Sequence, residues 1–360
     1  MNEEIEKKET NLLLSIIIPV YNGVSFVRNI VSDIVEHNLD IAGAYEVLLI
    51  DDGSKDKSSI ICSEMSETMD CIRYFRKENG GIASARNYGL SFAQGKYITF
   101  ADQDDSILHG YRMFLDRCEE EDLDMLITSP YSREVKSNNR KKRLFQDETV
   151  TDKQQINKIA GKLIDGKYLS DETSQFVSTS VWNVIYKKDM LQVNNIRFKV
   201  FIDYEDDWIF NIETLLVSKK IGISSAGYYC WIIRQDSESH RPKYIDGLLE
   251  KRRNWMDWMY VIMRSMDIDN KRQEEYVENV LCPRNIMMCF NNACFKPNSR
   301  IKDIISEIVD ACMEWRIKEI HPSKIEEMDR RNRYLFGLLK QKRIKSAIVL
   351  NRIIVRNRFH

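Results

Sequence analysis

Lys96-Tyr97-Ile98-Thr99-Phe100-Ala101-Asp102-Gln103-Asp104-Asp105 joins a short apolar run to three carboxylates within four positions. The apolar half suits a buried strand. The acidic half does not, because carboxylates packed this closely repel one another and are almost never fully buried unless paired. A cation is expected among them. Magnesium and manganese take oxygen ligands and bridge one or two carboxylates to substrate phosphates, so this strand end predicts a platform for a metal-bound diphosphate. Taken alone, so short an acidic string reads first as a solvated turn, and its flanks decide the matter.

Upstream, residues 12–20 (LLLSIIIPV) read as a fully buried strand of the parallel-sheet kind, closed by Pro19. Tyr21-Asn22-Gly23 supplies a turn, and Val24, Val27, Ile30, Val31, Ile34 and Val35 recur at helical spacing. Residues 45–50 (YEVLLI) repeat the theme and end in Asp51-Asp52-Gly53-Ser54, with a helix over 57–67. A short strand at 72–75 and the turn Asn79-Gly80-Gly81 precede a small-residue helix at 82–90 that carries Arg86. Downstream of the acidic string come a helix at 108–120 and a strand at 124–129. This alternation predicts a mainly parallel sheet with helices on both faces, an α/β architecture. Ligands of such sheets bind beyond the carboxyl ends of the strands, where Asp51, Asp52, Asp102, Asp104 and Asp105 all fall.

Residues 131–157 are polar, strongly charged and aperiodic, which predicts a mobile loop. Order returns at 181–186 and 198–203, followed by a second acidic string, Glu205-Asp206-Asp207, opening an apolar helix at 208–217. Acidic residues are favoured at helix N-termini, so capping competes with chemistry here. Strands at 221–223 and 228–233 lead to a polar turn at 234–240. Beyond Tyr244 the pattern changes to long helices, which divides the chain into a leader at 1–11, a main domain at 12–243 and a helical region at 244–360. Trp255, Trp258 and Trp315 read as helix packing. No acidic residue occurs from Arg330 to His360, whereas basic residues recur throughout. Leu335, Leu338, Leu339, Ile344, Ile348, Ile354 and Val355 approximate one apolar face of this tail. Such a face either meets an anionic membrane surface or packs on the domain or a second subunit, which leaves oligomerisation open.

Composition narrows the class. With 360 residues, 43% of them hydrophobic, the chain can bury a sizeable core, and a net charge of −1 gives no reason to expect nucleic acid. Eight cysteines without a C-x-x-C pair, and no secretory leader ahead of them, predict a reducing cytosolic setting and no structural zinc. No run approaches the ~20 apolar residues of a membrane span.

Taken together, Ile18-Pro19-Val20-Tyr21-Asn22, Ile50-Asp51-Asp52-Gly53-Ser54, Asn79-Gly80-Gly81, Ala85-Arg86-Asn87-Tyr88-Gly89-Leu90, Gly95-Lys96-Tyr97-Ile98, Asp102-Gln103-Asp104-Asp105 and Glu205-Asp206 resemble, in order and spacing, a family 2 glycosyltransferase of the bacterial polysaccharide-biosynthesis type. The resemblance is good over 12–130, fair to about 240 and absent beyond. It implies a GT-A fold, Rossmann-like with a mainly parallel sheet flanked by helices. It further implies that Pro19, Tyr21, Asp51 and Asp52 serve the nucleoside of a nucleotide-sugar donor, and that Arg86 lies near the diphosphate. Asp102 would contact the ribose region, Asp104 would hold Mn2+ or Mg2+, and Asp105 would face the donor sugar. Asp206 would be the general base of an inverting transfer, with Glu205 and Asp207 as neighbours that only geometry separates from it. His240 falls where some members bring a metal or phosphate ligand, and Arg234 where a phosphate contact falls. A uridine diphosphate donor, a glycan or lipid-linked acceptor and a cytoplasmic position, peripheral on the inner face of the cell membrane through the basic tail, complete the expectation.

Two other readings share parts of this pattern. A nucleotidyltransferase would carry a Gly-rich basic loop after strand one, where Pro19-Val20-Tyr21-Asn22 stands, and a dinucleotide dehydrogenase would carry G-x-G-x-x-G there. A catalytically inactive nucleotide-sugar-binding module would be expected to lack Asp102, Asp104 or Asp206, all of which are present.

Overall fold

The computed structural model describes residues 12–134, 140–142, 145–165, 180–200, 206–234, 244–266, 268–320 and 328–356. Contacts divide the chain into two compact units that change over between Gln235 and Asp236.

In the first unit, strands β1 (Leu14–Val20), β2 (Tyr45–Asp51), β3 (Ile72–Arg76) and β4 (Tyr97–Phe100) run parallel in the order β3-β2-β1-β4. Every residue of β1, β2 and β4 is buried. That explains their continuous apolar composition, since helices cover both faces of the sheet. Helix α1 (Val27–His37) turns Val27, Ile30, Val31 and Ile34 inward at the predicted spacing. Helix α2 (Ser58–Thr68) and helix α3 (Ile82–Phe92) complete the alternation. Gly89 lets α3 settle on the sheet: a Cβ there would stand 2.5 Å from Cγ2 of Ile17.

The sheet continues as β10 (Val184–Lys187), β6 (Met125–Thr128), β11 (Ile221–Ser224) and β9 (Glu148–Val150), making eight strands among the described residues. β10 lies antiparallel between β4 and β6. The sheet is therefore mainly parallel but mixed. A second sheet is built from β5 (Ser106–Ile107), β12 (Tyr229–Ile233), β7 (Tyr131–Glu134) and β8 (Arg140–Lys142). Helix α4 (Arg112–Glu121) precedes β6, and α6 (Lys188–Val193) follows β10.

The stretch 131–157 is thus not a featureless loop over its described residues. It supplies β7, β8, β9 and the start of α5 (Lys153–Asp165), whose Ile156, Ile159, Ala160, Leu163 and Ile164 are buried. Short strands whose hydrogen bonds run to the backbone of other segments leave little side-chain period, and the apolar face of α5 lies mostly beyond residue 157.

Buried Glu46 on β2 draws the start of β4 into place. It pairs with Arg73 at 2.6 Å and accepts bonds from the Ser15 hydroxyl and the Gln94 N–H, while Ser15 Oγ accepts from the Gly95 N–H at 2.8 Å. A buried carboxylate is tolerable here because both partners and bonds are supplied.

The second unit is helical, with α8 (Leu248–Ser265), α9 (Asn270–Tyr276), α10 (Cys282–Cys294) and α11 (Ile301–Glu314), and two last helices at Arg330–Lys340 and Ile344–Arg356. Trp255 and Trp315 are buried, with the Arg252 guanidinium 4.0 Å from the Trp255 ring centroid. Leu335, Phe336, Leu338, Leu339 and Ile348 are buried as well. The apolar face of the tail is thus core over these residues, whereas Arg330, Arg333, Arg343, Lys345 and Arg352 are exposed. Among the described residues no helix is long and apolar enough to cross a membrane.

Candidate active site

β1, β2 and β4 run parallel, so their carboxyl ends open on the same edge. The backbone fixes the turns there: the Asp52 N–H donates to Val20 O at 2.8 Å and the Ala101 N–H to Ile17 O at 3.0 Å. Asp51 is fully buried and accepts from the Ser54 N–H and the Tyr74 hydroxyl. Asp52 binds the Lys77 ammonium at 2.6 Å and accepts from the N–H groups of Gly80 and Gly81. Its carboxylate thereby shapes the Asn79-Gly80-Gly81 turn at the rim. Gly53 adopts φ +73°, and a Cβ there would meet Asn79 N at 2.9 Å, which accounts for the glycine in that motif.

Tyr21 is fixed through its backbone. Its N–H donates to Gln103 Oε1, and Gln103 Nε2 donates back to Tyr21 O, both at 3.0 Å. Gln103 thereby ties the first strand's turn to the acidic string. The Tyr21 ring itself is 37% exposed at the rim, while Pro19 is buried in β1.

The centre of the site is Arg86 on α3, itself 3% exposed. Nη1 donates to Asp206 at 2.9 Å and Nη2 to Asp102 at 3.1 Å, so one guanidinium joins the end of β4 to the first residue of α7 (Asp206–Val217). Burial works against the Arg86 charge, but the Asp206 and Asp102 carboxylates overcome it and hold the group above its ordinary range. The neighbouring Asn87 exchanges two bonds with the Phe198 backbone, each 2.8 Å. Phe198 stacks on Phe210 of α7, ring centroids 4.1 Å apart. The Arg86-Asn87 pair thus brings one segment and one helix onto the strand edge. Burial, then the Asp206 carboxylate, push the Asp207 carboxyl up to about 7 against the pull of Arg86.

Asp104 faces Arg234, whose Nη1 lies 2.8 Å from Oδ2 and whose guanidinium rests 4.9 Å from the Phe26 ring centroid. Burial and Asp102 raise the proton affinity of Asp104, and Arg234 opposes them. Asp105 turns inward instead, accepting from the Tyr229 hydroxyl at 2.8 Å and the Ile232 N–H at 2.8 Å. The Tyr229 oxygen also accepts the Asp102 N–H at 2.9 Å, a link from β12 that no sequence motif announced. Burial and the Asp102 charge lift the Asp105 carboxyl well above the usual carboxylate range.

Among the described residues no three His, Cys, Asp or Glu side chains converge in a metal cluster. A phosphate-bridging divalent ion needs only one or two protein carboxylates. The Asp104 carboxylate is ion-paired with Arg234 at 2.8 Å, so a divalent ion bound there would share the carboxylate with that guanidinium or displace it. His240 and Glu205 lie outside the described residues.

The mainly parallel sheet flanked by helices is the GT-A fold that the sequence resemblance implied. Residues 15–177 match the family model described as "Glycosyl transferase family 2", and this unit belongs to that family. Over 332 residues, 91% of this chain and 92% of the relative, it is 24% identical to the uncharacterized glycosyltransferase EpsJ of Bacillus subtilis (strain 168). It is 29% identical, over 65% of this chain, to the minor teichoic acid biosynthesis protein GgaB of Bacillus subtilis (strain 168), of which it spans 24%. In structure it resembles residues 1–349 of S. aureus TarS in complex with UDP-GlcNAc, with a TM-score of 0.60 and 18% identity over 96% of this chain and 92% of that one.

Proposed function

We propose that this glycosyltransferase moves a sugar from a uridine diphosphate sugar to a hydroxyl of a glycan or lipid-linked acceptor in cell-surface polysaccharide biosynthesis, with inversion at the anomeric carbon. The observation that carries the reading is the Asp102–Arg86–Asp206 bridge, which gathers a donor-side carboxylate and a carboxylate at the head of α7 around one cation. The names of GgaB and of the UDP-GlcNAc complex support the donor and the pathway class.

In this scheme Asp206 accepts the proton of the incoming hydroxyl as oxygen attacks the anomeric carbon, and the sugar–phosphate bond breaks on the opposite side. Arg86 holds Asp206 and Asp102 and places positive charge where the leaving diphosphate gains negative charge. Pro19, Tyr21, Asp51 and Asp52 bound the nucleoside end and Arg234 takes the phosphate end, whereas Asp105, expected to face the donor sugar, is turned inward onto Tyr229 and Ile232 and only backs that side of the site. Asp104, with His240 as a further ligand, would hold Mn2+ or Mg2+, and such an ion would supply electrostatic stabilisation of the diphosphate. The basic last helices attach the enzyme to the inner face of the membrane, where a lipid-linked acceptor is presented.

A screen of nucleotide-sugar donors, reading nucleotide diphosphate release with manganese or magnesium, tests the scheme. Asp104→Ala is expected to lose metal-supported turnover. Asp206→Asn is expected to lose transfer while still binding donor. Normal transfer by both variants removes the assigned roles.

A further inference from the structure

Asp104, the carboxylate on which the expected divalent ion falls, is met by a cation of the chain itself: Arg234 Nη1 lies 2.8 Å from its Oδ2. Both partners are held in place. One residue on, Asp105 accepts the Ile232 N–H and the Tyr229 hydroxyl, each at 2.8 Å, so β12 is pinned to the acidic string immediately beside the pair. Arg234 follows β12 directly, and its guanidinium rests on the Phe26 ring, 4.9 Å from the centroid. The Arg234 side chain is 19% exposed and that of Asp104 36%. Bracing on both sides distinguishes the pair from a chance meeting of surface charges.

A guanidinium and a divalent ion on one carboxylate set their positive charges against each other at short range, with a single negative charge between them. The pair therefore opposes a bare metal ion at Asp104, which must part it or bear the repulsion. A diphosphate reverses the balance. Its oxygens offer the guanidinium a more highly charged partner that the planar fork can grip at two points, and they supply the further oxygen ligands that a divalent ion on one or two carboxylates needs. Once Arg234 turns to phosphate, Asp104 is released to the ion. Binding of each then favours the other, by thermodynamic linkage to the same degree.

We propose that Arg234 couples metal binding to diphosphate binding: it occupies Asp104 until a nucleoside diphosphate arrives and then changes partner from carboxylate to phosphate, so that the site loads the two together. The proposal rests on the reading of Asp104 as the metal-holding carboxylate and deepens that reading, since it gives Arg234 a role toward the metal as well as toward phosphate. Its signature is a gain of binding. Removing the guanidinium makes the bare ion bind more tightly, an effect that a damaged fold cannot imitate.

The test titrates the full chain with Mn2+ and reads the free ion by electron paramagnetic resonance, with and without uridine diphosphate and with no sugar donor present. Without nucleotide, Arg234→Gln is expected to bind Mn2+ about fivefold more tightly than wild type, the upper range for a partly exposed ion pair. The gain should vanish in Asp104→Asn/Arg234→Gln, which ties it to Asp104. Uridine diphosphate should tighten Mn2+ binding in wild type by a factor about fivefold larger than in Arg234→Gln. Equal or weaker Mn2+ binding by Arg234→Gln without nucleotide overturns the proposal, and so does a gain that survives in the double variant. An equal effect of uridine diphosphate on the two proteins overturns it as well. Nucleotide diphosphate release from nucleotide sugars is read separately: its absence in wild type counts against the transfer reading alone, because the coupling is measured with no sugar in the reaction.

Discussion

Arg86 and Asp206 are 120 positions apart in the chain and 2.9 Å apart in space. The pair fixes where α7 begins relative to the end of β4, because the same guanidinium also holds Asp102. A carboxylate oriented in this way retains its second oxygen for an incoming proton. Replacing Asp206 by Asn keeps the shape and removes the proposed base, so transfer should fall by about 10²–10⁴-fold. Donor affinity, read by calorimetry, should change by less than about threefold. A variant with wild-type turnover would reassign the base.

Arg86→Lys should not be a mild change. An ammonium cannot reach both carboxylates in fork geometry, and breaking a buried pair leaves an uncompensated charge, a cost of about 3–5 kcal/mol. Chemical denaturation should register that loss. Activity should fall even where enough folded protein is recovered, and a lysine variant as stable and as active as wild type would show the bridge to be incidental.

Asp207 carries a pH signature. Its carboxyl, ordinarily titrating near 4, is pushed up to about 7 in the folded chain, so the folded state binds this proton more tightly than the unfolded state. The stability it confers is complete below about pH 4 and is lost as pH rises through about 7. Melting midpoints of wild type should therefore drop between about pH 5 and 8 by a few degrees more than those of Asp207→Asn, which cannot ionise there. Parallel pH profiles for the two proteins would sink this assignment.

Two substitutions separate shape from chemistry at the strand edge. Asp52→Ala strips Lys77 and the Gly80 and Gly81 N–H groups of their acceptor, and should cost about 1–3 kcal/mol and loosen the rim turn. Hydrogen exchange at Gly80 and Gly81 should accelerate accordingly. Gly89→Ala pushes a methyl into Ile17 and should cost about 1–3 kcal/mol despite the better helix propensity of alanine. Unchanged denaturation midpoints in both would mean that the edge relaxes freely.

What the residues spelled out locally was the alternation of strand and helix from 12 to 129, the acids at the strand ends and the arginine between them. Those features depend on contacts within a few positions, and their periods survive in the sequence. Asn87 and Gly89 stood in the same motif, yet their work, bonding Phe198 and admitting Ile17, appears only once α3 lies on the sheet. Tertiary structure alone decided that β10 enters antiparallel between β4 and β6, that Asp105 turns to Tyr229 rather than outward, and that Gln103 clasps Tyr21. It also put the apolar face of the tail into a core and its arginines around a cavity. Strand order and side-chain partnership join segments far apart in the chain, 82 positions for Tyr21 and Gln103 and 124 for Asp105 and Tyr229, and no single segment encodes its distant neighbour.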